Sequence, residues 1–300
     1  MDKVWELLPE TLRKRIEELP AEERERIEEV RLRQGRPMSV SLPTGERFLD
    51  GGSVDSETLD RVLERASRFS VHTVLEQIKN GFVAVRGGHR LGLCGTGVVE
   101  NGQLVNLRAV SSLSLRQARE LKGIAASSVP ALFERGRLRN TLILAPPGQG
   151  KTTLLRDLIR AISQGEGCPP QRVGLADERG EVASVWEGRP MLDVGPRTDV
   201  MDGCPKSVGM LSLVRGMSPQ VLAVDEITRE ADAKALLQAV GCGVSLLATA
   251  HGDSIEDLER RHIYQKLTQE RIFERFILIR GAGRERQYTV VKQEEKECGA

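Results

Sequence analysis

The run Thr141–Leu155, TLILAPPGQGKTTLL, constrains this chain more than any other stretch. Apolar residues Leu142 to Leu144 lead into a turn of Pro146, Pro147, Gly148, Gln149 and Gly150, which closes on Lys151 and Thr152. Beyond it, Leu154, Leu155, Leu158, Ile159 and Ile162 recur at helical spacing. A strand that turns over glycines into a helix aims several backbone N–H groups and the positive helix end at one point, which suits a polyphosphate. Lys151 then reaches the outer phosphates and the Thr152 hydroxyl takes Mg²⁺, with Pro147, Gly148, Gln149, Gly150 and Thr153 completing the cradle. Ala145 stands where the first glycine of the GxxxxGK[ST] pattern usually sits, a small residue that costs the match little. The plainer reading is a Gly/Pro-rich surface turn, and the flanking strand and helix argue against it. The chain is expected to bind a nucleoside triphosphate, ATP, with Mg²⁺.

Composition narrows the partners. The net charge of +1, from 44 basic and 43 acidic residues, creates no field that would draw in nucleic acid or anionic lipid. Aromatics make up only 3%, too few for a base-stacking platform, so no direct nucleic-acid partner is expected. No apolar stretch approaches the ~20 residues of a membrane helix, and the N-terminal MDKVWELLPETLRKR lacks a signal-peptide core. Cys94, Cys168, Cys204, Cys242 and Cys298 are scattered without a CxxC pair and read as reduced thiols. These features predict a cytoplasmic protein.

At 300 residues, two domains are the prior. Residues 1–122 are expected to form a smaller α+β domain with a helical connector, 123–290 an α/β nucleotide domain and 291–300 a charged, solvated tail. In the first part, Leu7 to Leu19, Glu22 to Glu29 and Glu57 to Phe69 have helical character. Val30 to Leu42 reads as a hairpin. Phe82 to about Leu107 reads as a second β region with a type I′ turn at Asn101-Gly102. Ser111 to Asn140 is expected to be a helical, Arg-rich connector, with the domain boundary near Gly123. Beyond it short apolar strands (Thr141–Leu144, Arg172–Ala176, Val221–Val224, Ser245–Ala250, Phe276–Ile279) alternate with helices (Thr152–Ser163, Lys206–Gly216, Arg229–Gly241, Glu256–Thr268), the mark of a parallel sheet.

Candidate chemistry follows from strand ends. Val221 to Glu226, VLAVDE, ends a buried strand in two carboxylates, about 75 residues beyond the phosphate loop. Asp225 is placed to hold Mg²⁺ and Glu226 to orient and deprotonate an attacking water. Asp177, Glu178 and Glu181 in ADERGE stand at another strand end; they either hold Mg²⁺-bound water or the base of the nucleophile site, or form a charged loop paired with Arg179. His251 ends SLLATAH, where it is a γ-phosphate sensor or a capping residue, whereas His72, His89 and His262 have no such context. A guanidinium from outside the site would stabilise charge on the γ-phosphate. The candidates are Arg86, Arg90, Arg108, Arg116 and Arg215.

The stretches ADERGEVAS, DVGPRTDVMDGCPK, RGMSPQVLAVDEI and ATAHGDSIEDL, together with EEVRLRQGRPMSV near the N-terminus, resemble the stage III sporulation protein AA family over nearly the whole chain. That family is akin to the secretion-type ATPases that drive type II and type IV pilus systems. The resemblance implies a RecA-like P-loop core with a smaller N-terminal α+β domain, and a homo-hexameric ring with ATP between subunits. It further implies membrane-protein partners in a sporulation channel complex, with peripheral attachment at the inner face of the membrane. On the same basis Lys151 and Thr152 match the phosphate loop, Asp225 and Glu226 the second acidic motif, DERGE with Glu178 the acidic box, and His251 the histidine box. Arg108 in NLRAVSS and Arg116 in LSLRQ match N-domain arginines that reach a neighbouring site. Asp225 departs from the pilus motors, which usually carry glycine there. A nucleic-acid motor, a small-molecule kinase and a scaffold ring that binds ATP with little turnover are the alternatives. Balanced charge counts against the first, the lack of a lid-like Arg-rich insertion against the second, and the intact Asp225–Glu226 pair against the third.

Overall fold

The computed structural model describes residues 3–67, 82–281 and 286–293. The chain divides into two units, Met1–Arg119 with Ser184–Met191, and Glu120–Ala183 with Leu192–Ala300.

The first unit is built on an antiparallel sheet of order β3-β2-β1-β6-β5-β4. Its strands are β1 (Glu29–Arg33), β2 (Pro37–Leu42), β3 (Gly45–Ser53), β4 (Phe82–Val85), β5 (His89–Glu100) and β6 (Gln103–Arg116). Alternation places Val30, Leu32, Val40, Leu91, Leu113 and Leu115 in one core, with Leu59, Val62 and Ala66 from the helix Ser56–Ser67. The β5–β6 hairpin turns at Asn101 and Gly102 with φ of 50° and 76°, the paired positive values a type I′ turn demands.

The expected helical connector is absent from the described residues. Ser111 to Arg116 complete β6, a helix spans only Val129–Leu132, and β7 (Phe133–Glu134) pairs with β8 (Arg137–Leu138). The residues around Gly123 lie along the phosphate-loop helix instead. Asp157, 2% exposed on that helix, accepts the N–H groups of Gly123 and Ala125 at 3.1 and 2.8 Å.

The second unit carries a sheet of order β13-β10-β14-β15-β9-β16-β17. Its strands are β9 (Thr141–Ala145), β10 (Val173–Asp177), β13 (Thr198–Asp202), β14 (Val221–Val224), β15 (Ser245–His251), β16 (Arg275–Arg280) and β17 (Gln287–Lys292). All neighbours are parallel except β16–β17. Two assignments differ from the sequence reading. The hairpin β11 (Val185–Trp186)–β12 (Arg189–Pro190) falls within Ser184–Met191 and clusters with the first unit. Val291 and Lys292 complete β17 rather than opening a tail; residues 294–300, like His72 and Cys298, lie outside the described residues.

The DVGPRTDV motif has a structural task. Arg197 N–H donates to Ser163 Oγ at 2.6 Å and the Arg197 guanidinium to the Ser163 carbonyl at 2.8 Å, tying edge strand β13 to the far end of the phosphate-loop helix. Gly195 has φ of 83°, and a Cβ there would lie 2.6 Å from that of Ser163. Gly195→Ala is therefore expected to destabilise the fold by roughly 2–4 kcal/mol, read as a lower denaturation midpoint at unchanged slope.

Candidate active site

The phosphate loop leaves β9 and enters the helix Lys151–Gln164 through Gly148 and Gly150, with φ of 74° and 88°. Both values lie in the left-handed region that side chains disfavour, so this route needs glycine at both positions. Leu154, Leu155, Leu158, Ile159 and Ile162 are fully buried, which fixes the helix start against the sheet.

Lys151 is only 6% exposed. Its ammonium donates to the carbonyls of Ala145 and Pro146 at 2.8 and 2.9 Å and lies 2.7 Å from His251 Nδ1. Burial lowers its pKa from the ordinary lysine value, against the opposing pull of Glu226 and Asp225. An ammonium has only donors, so His251 Nδ1 is the acceptor and Nε2–H faces the Glu226 carboxylate, with which it pairs. Lys151, His251 and Glu226 thus form one chain.

Thr152 Oγ1 donates to Asp225 Oδ2 at 2.7 Å, and Thr249 Oγ1 donates to Asp225 Oδ1 at 2.6 Å. The Thr249 oxygen also accepts the Glu226 N–H at 2.8 Å. Burial raises the Asp225 carboxyl above its ordinary range despite both hydroxyls, and the neighbouring Glu181 and Glu226 add to the rise. A buried carboxylate short of positive charge, with a hydroxyl oxygen beside it, is a donor set for a hard cation. Thr152 and Asp225 therefore fit Mg²⁺.

The acidic stretch after β10 resolves by residue. Asp177 is 2% exposed; it accepts the N–H groups of Glu181 (2.8 Å), Val182 (3.1 Å) and Ala183 (2.8 Å), so both its oxygens organise the turn. Arg156, in the phosphate-loop helix, fastens the same turn through the carbonyls of Glu181 and Val182. Glu178 pairs with Arg229 at 3.2 Å. Arg179, whose local pairing is the alternative reading of this stretch, approaches Glu226 at 3.9 Å.

Among the other sequence candidates, Arg108 is exposed on β6, and Arg116 pairs with the buried Glu29 at 3.3 Å. Burial opposes ionisation of Glu29, yet Ser114, Arg31 and Arg116 hold its carboxyl below the ordinary range. Arg86 is exposed, Arg90 stacks 4.5 Å from the Phe82 ring, and Arg215 is exposed on its helix. His89 is buried and accepts the Ala118 N–H at 3.0 Å, and His262 is an exposed partner of Glu230.

Four residues of this region escape the sequence reading. Thr249 and Arg156 are polar residues at positions that turn out to be buried, the one available signal. Lys206 bonds the Glu226 carbonyl. Arg286, just before β17, lies over the phosphate loop, since a Cβ on Gly150 would meet its guanidinium at 2.7 Å. Nearby, a cleft of about 450 Å³ is lined by Leu144, Pro146, Gln149, Leu278, Ile279 and Arg280. Gln149 Oε1 and Arg286 Nε are buried without a hydrogen-bond partner. Orphaned polar atoms beside apolar walls are what a bound nucleotide would satisfy.

Comparison with known proteins gives this site its context. The family model for sporulation stage III, protein AA matches residues 1–297. Stage III sporulation protein AA of Bacillus subtilis is 42% identical over 278 residues, covering 92% of this chain and 90% of that protein. Among solved structures, the pilus retraction motor PilT with bound ADP superposes with a TM-score of 0.65 at 17% identity, covering 92% of this chain and 82% of that one. The Legionella pneumophila ATPase DotB gives 0.56 at 12% identity, covering 89% and 76%. The fold is accordingly a RecA-like P-loop core joined to a smaller α+β unit.

Proposed function

The chain belongs to the sporulation stage III protein AA family, and from that premise we propose that it is a Mg²⁺-dependent ATPase of the secretion type, powering assembly of, or transport through, a sporulation channel complex. The observation that carries this reading is the continuous chain Lys151–His251–Glu226 beside the Thr152–Asp225 pair. It joins a phosphate-binding cation, a reader of its state, a general base and a metal donor set at the carboxyl ends of the neighbouring central strands β9, β15 and β14.

In this reading the N–H groups of residues 148–153 and the Lys151 ammonium hold the β- and γ-phosphates, Pro147, which has no N–H, shapes the loop beside them, and the nucleoside lies along the cleft near Arg286. Thr152 and Asp225 hold Mg²⁺, which supplies charge neutralisation at the phosphoryl oxygens. Glu226 accepts a proton from the attacking water as the new P–O bond forms and the bond to the β–γ bridging oxygen breaks. Lys151 turns from the loop carbonyls toward phosphate, so His251 loses a donor when the site fills, and its bond to Glu226 carries that change to the base. Glu178, one residue beyond the Asp177 that organises the acidic turn, is held by Arg229.

The second unit is proposed as the ATPase domain and the first as the unit that supplies an arginine to a neighbour in a homo-hexamer. Arg108 is preferred over Arg116, because Glu29 already engages the latter. Among the described residues no helix is long and apolar enough to cross a membrane. Attachment to the inner membrane face would then run through membrane-protein partners.

The direct test is phosphate release from Mg²⁺-ATP by the purified chain. Release strongly stimulated by single-stranded DNA would favour a nucleic-acid motor, and rings that form in ATP without release would favour a scaffold. For the shared site, Arg108→Ala subunits mixed with Glu226→Gln subunits are expected to recover part of the activity that each lacks alone. No recovery at any mixing ratio would remove Arg108 from the role.

A further inference from the structure

Lys206 is a buried cation to which the chemistry above gives no task. It opens the helix Lys206–Met217 and is 5% exposed, a degree of burial that lysine rarely reaches without a partner. Its cleft is lined by Asp177, Glu178, Glu181 and Asp225, yet its ammonium donates to a main-chain oxygen, the carbonyl of Glu226.

That carbonyl belongs to an unusual peptide. Glu226 has φ of 53°, in the left-handed region that residues with a Cβ seldom adopt. Such a conformation persists where its surroundings over-determine it. Here the amide side is held by Thr249, which accepts the Glu226 N–H at 2.8 Å and, through its own carbonyl, the Ile227 N–H at 3.1 Å. The next carbonyl, of Ile227, is held by the Tyr264 hydroxyl at 2.6 Å. Lys206 supplies the hold on the Glu226 carbonyl, and the direction of the carboxylate follows from the backbone it hangs on.

We infer that Lys206 is a positioning residue: by gripping the Glu226 carbonyl it sets the left-handed turn that aims the Glu226 carboxylate at His251 and at the water to be activated. This inference rests on the reading of Glu226 as the general base. Misplacement of a reacting group by about 1 Å can lower a rate by roughly 100-fold. Lys206→Met, which keeps the unbranched apolar stem and removes the donor, is accordingly expected to lower kcat by roughly 10- to 100-fold. Affinity for a non-hydrolysable ATP analogue with Mg²⁺ should stay within about threefold of the parent. Lys206→Arg, which retains a cationic donor, should recover most of the lost rate.

The double variant separates positioning from independent action. If Lys206 works through Glu226, Lys206→Met with Glu226→Gln turns over no more slowly than Glu226→Gln alone. A multiplicative loss overturns the inference. Parental turnover in Lys206→Met alongside an inactive Glu226→Gln also overturns it and leaves the base assignment standing. Substantial turnover in Glu226→Gln instead removes the base assignment itself. Should Lys206→Met fail to fold, Lys206→Leu, which also removes the donor, is measured in its place, and the same results support or overturn the inference.

Discussion

Lys151→Ala is expected to weaken binding of Mg²⁺-ATP by about two orders of magnitude and to take turnover below detection. The ammonium is buried at the helix start, with two loop carbonyls and His251 as its partners. A hydrogen bond to a charged group contributes roughly 1.5–3 kcal/mol, and each 1.4 kcal/mol is tenfold in affinity. Turnover falls further because charge gathers on the phosphoryl oxygens on the way to the transition state, and losing one preorganised donor there costs about 10²–10³ in rate. Calorimetric titration with ATP and Mg²⁺ checks the first effect and phosphate release the second. Affinity within a few-fold of the parent would remove the phosphate-loop assignment and the proposed function with it.

Glu226→Gln should behave oppositely, with binding kept and turnover reduced by roughly 10²–10⁴-fold, the usual share of a general base. Glutamine leaves an amide oxygen to accept from His251 Nε2–H, and its backbone makes the same bonds to Thr249 and Lys206. The fold and the phosphate cradle should therefore persist, while the amide cannot take up a proton at neutral pH. Single-turnover measurements on preloaded protein separate this from an effect on binding. Hydrolysis within a few-fold of the parent would move the base elsewhere in the acidic cluster.

How far the sequence foretells these features depends on how local their cause is. The phosphate loop is legible because a strand, two glycines, a lysine and an amphipathic helix are contiguous. The buried strand ends at Asp225 and His251 are legible for the same reason. The parallel pairing of β9 with β15 and β16 follows from strand–helix alternation, though nothing local says that β15 separates β9 from β14. Edge strand β13 escapes a sequence reading: Thr198-Asp199-Val200-Met201-Asp202 is polar and follows Gly195-Pro196, and its fastening to Ser163 comes from a distant helix. The connector misleads where period two is in plain view. Leu113 and Leu115 alternate with serines and are buried in the sheet, but the charged RQARELK that follows draws the reading toward helix. Arg156, Lys206, Thr249 and Arg286 reach the site only through tertiary packing. So does the tie between DVGPRTDV and the phosphate-loop helix, which turns a distinctive motif into a structural clasp.

That clasp bears on how the loop can answer its guest. A helix of fourteen residues is about 21 Å long. This one is wedged along its length by Asp157 and Arg156 and moored at its last turn by Arg197. It is a keel rather than a lever, so in the proposed reading a change of phosphate occupancy would be met in the loop itself, by torsions at Gly148 and Gly150 and by the turning of Lys151, rather than by a tilt of the helix.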